Sequence, residues 1–249
     1  MMNITPTVKQ LLIINVIFFI GSQLVPMTQT YLPLYYFESE NFKLWQPLTH
    51  MFMHGGFMHI AFNMFALYSF GSLLENYWGS AKFLFFYLSC GMGAALLHSG
   101  FNYLTFHKEL DILIQSGFLK SDIYNILNTH QIDTRWTESL GASGLDNLTG
   151  SFLIPAVGAS GAIYGLLVAF AFMFPNAELA LMFIPVPVKA KYFVPGLLAV
   201  DLFLGFKGSS LFGSGGTGIA HFAHIGGALI GFIMMWYWRK NSFDKNRWN

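Results

Sequence analysis

VGASGAIYGLLVAFAFMF, residues 157–174, decides how this chain is read. Beyond Ser160 it contains no charged side chain and, Tyr164 aside, no polar one. A bilayer-crossing helix needs about 20 mostly apolar residues, and this run comes close to that length. Yet Gly158-Ala159-Ser160-Gly161 stands at its start, so a hydroxyl flanked by glycines opens an apolar helix. Polar groups inside membrane spans are costly, which makes them functional suspects by default.

Working outward, five more segments have the same apolar character: roughly 8–26, 57–76, 81–103, 190–206 and 220–238. Several contain Gly, His, Asn or Asp, which predicts helices that pack on one another rather than stand alone in lipid. Composition agrees. Of 249 residues, 54% are hydrophobic, 18% aromatic and only 10% charged, against about 25% charged in a soluble domain. The first run carries no small-x-small cleavage site and reads as a retained span rather than a signal peptide. The expectation is an all-α membrane protein, a single domain over 1–249 built as a bundle of six transmembrane helices.

Orientation follows from Lys and Arg in the connections. With the N-terminus inside, the inner segments hold Lys9, Lys82, Lys189, Lys191, Arg239, Lys240, Lys245 and Arg247, and the longer outer ones hold fewer. This predicts N-in and C-in. The first outer loop, 27–56, is aromatic and suits the headgroup region. The second, 104–150, reads as an inserted polar loop between spans three and four. Leu113, Phe118, Ile123, Ile126 and Leu127 predict one or two short amphipathic helices in it, and Gly141–Gly150 reads as a linker. The inner stretch 175–191, with Pro185 and Pro187, reads as an irregular connection. A net charge of +1 gives no basic field for nucleic acid, and the lone Cys90 excludes an internal disulfide.

Three groups of residues could carry chemistry. A serine hydroxyl needs a base and oxyanion donors, and Ser160 at a helix start gains from the unpaired first-turn N–H groups and the helix dipole. Gly141-Ala142-Ser143-Gly144 repeats the same four residues, but polar residues follow, so Ser143 is expected on a loop. The second group, Ala223-His224-Ile225-Gly226-Gly227 with His221 one turn earlier, offers an imidazole as general base. Gly227 and Gly231 form a small face on the sixth span, as Gly161 and Gly165 do on the fourth. Close packing of the two would bring His224 to Ser160. The third group is His59 and Asn63, four apart on one helical face and both able to donate to an oxyanion. His50 and His54 share that spacing, but no Cys or carboxylate completes a metal shell, so no metal and no cofactor are expected.

In order, Trp45-Gln46-Pro47-Leu48-Thr49, His54-Gly55-Gly56, His59-x-x-x-Asn63, Glu75 to Gly79, Gly158-x-Ser160-Gly161 and Ala223-His224-x-Gly226-Gly227 resemble the rhomboid family of intramembrane serine proteases. The resemblance implies Ser160 as nucleophile, His224 as base, and His59, Asn63 and the Ser160 backbone N–H as oxyanion hole. It implies that the Tyr164 ring packs on the catalytic imidazole, that Gly158 and Gly161 support the site, and that His54 and Glu75 are structural. It also implies a dyad without a carboxylate, so Asp201 receives no catalytic role. The expected substrates are single-span membrane proteins in the bilayer, and the expected location is a multi-pass protein of a bacterial inner membrane. The first outer loop lacks the Trp-Arg pair many bacterial members carry, and 104–150 exceeds the family core; it is expected to cap the site or recruit a substrate or partner. Two rivals are a catalytically inert rhomboid-fold scaffold for membrane clients and a histidine-lined metal transporter.

Overall fold

Helices account for most of the chain in the computed structural model, which describes residues 3–181, 184–207 and 219–242. The first helix, α1, runs Pro6–Leu24, with Pro6 in the first turn where its missing N–H costs nothing. Its N-terminus is held from a distance. The buried Glu75 carboxylate accepts hydrogen bonds from the backbone N–H of Thr7 and of Val8, both at 2.9 Å, from Thr5 Oγ1 at 2.5 Å and from Ser80 Oγ at 2.7 Å. A carboxylate at a helix N-terminus satisfies orphan N–H groups and meets the positive end of the dipole. Glu75 lies on α2 (Phe57–Trp78), so this contact fastens the first helix to the second.

The third helix, α3 (Ser80–Gln115), corrects one boundary. The expected span 81–103 does not stop there. At 1.5 Å per residue a helix of 36 residues is about 54 Å long, well beyond an apolar core of about 30 Å. Asn102, Phe106, Glu109, Leu110 and Leu113 are buried on one face, so the helical period runs on without a breaker. It ends at Gly117, whose φ of 94° permits a Schellman turn: Phe118 N–H donates to Leu113 O and Gly117 N–H to Ile114 O.

Residues 104–150 are therefore a largely helical module, with more helix than the one or two short amphipathic helices expected. The α3 extension is followed by α4 (Lys120–Asn128) and α5 (Trp136–Leu153). The stretch read as a linker, Gly141–Gly150, is helical, and Ser143 sits exposed on α5. Gly141 (φ 67°, ψ 174°) kinks α5 instead of ending it. Past the kink Leu145, Leu148 and Phe152 fall on one face, and buried Gly144 lets α5 approach Glu109 of α3. Tyr36, Phe106, Leu110, Leu127, Trp136 and Phe152 form the core of this module.

After α5 the chain enters α6 (Ser160–Met173), then a hairpin of β1 (Glu178–Leu181) and β2 (Ile184–Lys189), then α7 (Ala190–Lys207) and α8 (Ile219–Ser242). The hairpin corrects the irregular 175–191 connection and is a small addition to a mostly helical fold. Glu178 pairs with Lys189 and Leu179 with Val188, antiparallel. Two prolines are compatible with it because a two-stranded ribbon has open edges where no donor is needed.

Among the described residues, Pro6–Leu24, Phe57–Trp78 and Ser80–Gln115 are long and apolar enough to cross a membrane, and Ser160–Met173 is a shorter apolar helix. Exposed Ile13, Ile17 and Ile20 on α1 suit a lipid-facing surface. The site is built where α3, α6 and α8 meet, in a core that includes Phe83, Cys90, Ala162 and Leu166.

Candidate active site

Glycines set the distance between the helices that carry Ser160 and His224. A Cβ added at Gly227 of α8 would run into the Gly161 carbonyl of α6, and one at Gly231 would lie 2.8 Å from Gly165 Cα. On the other side, a Cβ at Gly226 would lie 2.7 Å from the Gly93 carbonyl of α3. Backbones this close need residues without side chains, the small-residue packing of membrane helices.

That packing brings His224 Nε2 to 3.0 Å from Ser160 Oγ, on helices 64 residues apart in sequence. The Tyr164 ring lies parallel to the His224 ring, with centroids 4.3 Å apart and planes 7° apart. On the far edge of the imidazole, Nδ1 lies 3.3 Å from Asp201 Oδ1 on α7. If Nε2 accepts the Ser160 proton, Nδ1 must carry one, and the carboxylate is placed to accept from it. The same oxygen contacts His221 Nδ1.

The family resemblance gives Asp201 no part in the chemistry; the structure brings it behind the imidazole. A signal was present, since Asp201 is a carboxylate in mid-span and such groups are functional suspects. What the sequence could not supply was the approach of α7 to α8.

On the entry side of the serine, Gly158 adopts φ 123°, a conformation that favours glycine. A Cβ there would also lie 2.7 Å from His59 Nε2. The Gly158 N–H donates to the His50 carbonyl at 2.9 Å, which holds this turn against the segment ahead of α2. Burial pushes the His50 imidazole down to about 4, so it is neutral near pH 7. Its Nδ1 lies 3.1 Å from the Gln46 carbonyl.

His59 Nδ1 is met by the Gly55 N–H at 3.3 Å, so Nδ1 acts as acceptor. The ring proton then sits on Nε2, the nitrogen that faces Gly158 and, beyond it, the start of α6. Asn63 lies one turn further along α2. It is buried, and its Nδ2 has no hydrogen-bond partner among the described residues. His59 and Asn63 thus offer two side-chain donors on one face of α2, and His59 Nε2 and Ser160 Oγ both lie beside Gly158. His54 packs edge-on against His59, with centroids 5.1 Å apart.

The exposed Ser143, on α5, has no such surroundings. His50 and His54 do not form a metal-ligand cluster; among the described residues the group with that potential is Asp201, His221 and His224.

The model of the Rhomboid domain family matches residues 41–241. The chain is 24% identical to Rhomboid protein 1, mitochondrial, of Saccharomyces cerevisiae over 201 residues, 79% of this chain and 42% of that protein. It is 28% identical to Rhomboid protease AarA of Providencia stuartii over 200 residues, 76% of this chain and 54% of AarA. A stretch of 52 residues is 40% identical to Rhomboid protease GluP of Bacillus subtilis, covering 21% of this chain and 10% of GluP. The chain thus spans about half the length, or less, of these relatives.

Proposed function

As the chain belongs to the rhomboid family and is an integral membrane protein, we propose that it is an intramembrane serine endopeptidase that cleaves peptide bonds in or next to transmembrane helices. The observation that carries this reading is the 3.0 Å approach of Ser160 Oγ to His224 Nε2, with the imidazole held between Tyr164 and Asp201.

Ser160 Oγ attacks the scissile carbonyl while its proton passes to His224 Nε2. The carbonyl oxygen becomes an oxyanion, stabilised by His59 Nε2–H, Asn63 Nδ2–H and the Ser160 backbone N–H. His224 then protonates the leaving amine, and an acyl-enzyme remains on Ser160. Water, deprotonated by the same imidazole, releases the acid and restores the serine. Asp201 acts as a positioning residue: accepting from Nδ1 fixes the tautomer that leaves Nε2 free to take the proton. Tyr164 fixes the plane of the ring.

The substrates on this reading are single-span membrane proteins. The similarity to AarA and GluP, both named as rhomboid proteases, supports proteolysis; a bacterial inner membrane is the proposed location, while the yeast relative is named as mitochondrial. Six spans with N-in and C-in orientation belong to the same proposal. The chain is suited to a labelling test, because its lone Cys90 is buried. Cysteines introduced at Lys43 and Lys120 should react with an impermeant maleimide from the outer side, and one at Lys189 should not; the opposite pattern inverts the topology. The function itself is tested by cleavage of a single-span reporter, which Ser160→Ala should abolish.

A further inference from the structure

Behind the catalytic pair lies a cluster whose chemistry peptide cleavage does not use. One ligand atom each of Asp201, His221 and His224 lies within 4.8 Å of the other two, and Nδ1 of both imidazoles contacts Asp201 Oδ1. His221 and His224 are three apart on α8 and therefore share a face. Asp201 faces them from α7 and is 1% exposed; His221 is 6% exposed. Asp201 Oδ1 contacts both imidazoles, while Oδ2 is buried without a hydrogen-bond partner among the described residues.

Two imidazoles and one carboxylate are a common ligand set for zinc, with bonds of about 2.0–2.2 Å and tetrahedral angles. Ligand atoms around such an ion are roughly 3.3 Å apart, and His224 Nδ1 and Asp201 Oδ1 already stand at 3.3 Å. The carboxylate can turn Oδ2 towards an ion, against the hydrogen bond that the Tyr164 hydroxyl makes to the carboxylate. The His224 side chain is 22% exposed, which gives an ion a route in from the site itself.

We propose that Asp201, His221 and His224 form an inhibitory site for a divalent transition-metal ion, best fitted to zinc, which switches the protease off by occupying Nδ1 of its own base. The proposal rests on the reading of His224 as that base. Binding forms three metal–ligand bonds, and nothing is oxidised or reduced. The protons on Nδ1 of His224 and of His221 leave for solvent, and each neutral ring takes one from solvent at Nε2. An Nε2 that carries a proton cannot accept one from Ser160. The ion sits on the edge of the ring away from the serine, so the effect falls on kcat and leaves KM unchanged.

The test uses the full chain in detergent and zinc as the probe, with a binding arm independent of cleavage. By competition with a chromophoric chelator, Ser160→Ala should bind one zinc per chain. The Ser160→Ala, His221→Asn double variant should bind at least roughly 100-fold more weakly, because losing even an outer-shell partner costs about 10–100-fold. Asn keeps a donor near the Nδ1 position towards Asp201 but supplies no lone pair to a metal. Equal affinity in the two proteins overturns the site. In the cleavage arm, saturating zinc should lower wild-type kcat at least about 100-fold, the usual share of a positioned base, and a chelator should restore it. His221→Asn should keep basal cleavage and lose the zinc response; His221→Gln repeats the test if the first variant folds poorly. Equal inhibition of wild type and variant overturns the proposal. A wild type that cleaves nothing counts against the protease reading, and the binding arm still decides the metal site.

Discussion

The helices that carry the proposed chemistry and the module that precedes them are packed by opposite means. Between α3, α6 and α8 the closest contacts are glycine on glycine, with the Gly227–Gly161 and Gly226–Gly93 backbones nearly touching. In the 104–153 module the contacts are large rings: Tyr36, Phe106, Trp136 and Phe152. The difference follows from the surroundings. Among lipid tails, burying an apolar side chain gains little, so association relies on close backbone contact. Lys108, Asp111, Lys120, Asp122 and Arg135 are exposed on the module, as water-facing residues would be, and there each buried aromatic contributes the full hydrophobic term. The first arrangement gives precision at Ser160. The second gives stability to a surface structure.

This contrast can be broken most directly at Gly227. Gly227→Leu places a side chain where the Gly161 carbonyl stands, and no flexible neighbour can yield. The cost should exceed about 4 kcal/mol, with no folded protein or cleavage below 0.1% of wild type, roughly three orders of magnitude. A well-folded, active Gly227→Leu would refute the glycine-packed account of the site.

Trp136→Ala removes a fully buried ring from the module core and should cost about 3–5 kcal/mol, but locally. Trypsin should then cut near Lys120 and Arg135, while fluorophosphonate labelling of Ser160 persists. Simultaneous loss of labelling would show that the two regions form one cooperative unit. Such coupling has a visible route. Leu34 and Ala156 exchange backbone hydrogen bonds at 2.9 Å, four residues ahead of Ser160. Glu75→Gln sharpens the comparison at the membrane end, since it weakens four bonds to one carboxylate. A loss of about 2–3 kcal/mol in thermal unfolding is expected, and an unchanged Tm would remove Glu75 as the anchor of α1.

The smallest expected effect lies where the 27–56 segment meets the module. Glu38 Oε2 accepts from Tyr124 Oη at 2.6 Å and Tyr36 Oη at 3.0 Å, and lies 3.1 Å from His107 Nε2. Burial works to raise the Glu38 pKa, but these hydrogen bonds outweigh it and hold the carboxyl below its ordinary value. A depressed carboxylate stabilises fully above its unfolded pKa of about 4.3 and loses that contribution as pH falls through the folded value. Glu38→Gln should therefore cost about 1–2 kcal/mol at pH 7, and the gap to wild type should close below about pH 4. A constant gap across that range would mean the charge is not what matters.

The membrane half was more legible in the sequence than the module. Small residues spaced by four mark a packing face without knowledge of the partner, so Gly161, Gly165, Gly227 and Gly231 could be paired in advance. Ser160 and His224 follow once those faces meet. The helical tail of the module was hidden because Gly141, Ser143, Gly144, Gly150 and Ser151 look like a linker. Only contact with the α3 extension, itself unforeseen, makes Gly144 and Gly150 buried residues of a helix. The β1–β2 hairpin was masked by Pro185 and Pro187. Asp201 was visible but unplaced, since its value depends on which way α7 faces α8.

The central claim is that Ser160, and not its sequence twin Ser143, is the nucleophile. The direct test is cleavage of a single-span reporter by purified wild type, Ser160→Ala and Ser143→Ala in detergent, with fluorophosphonate labelling of each. The account predicts cleavage and labelling in the wild type and Ser143→Ala, and neither in Ser160→Ala. Cleavage that survives Ser160→Ala would contradict it.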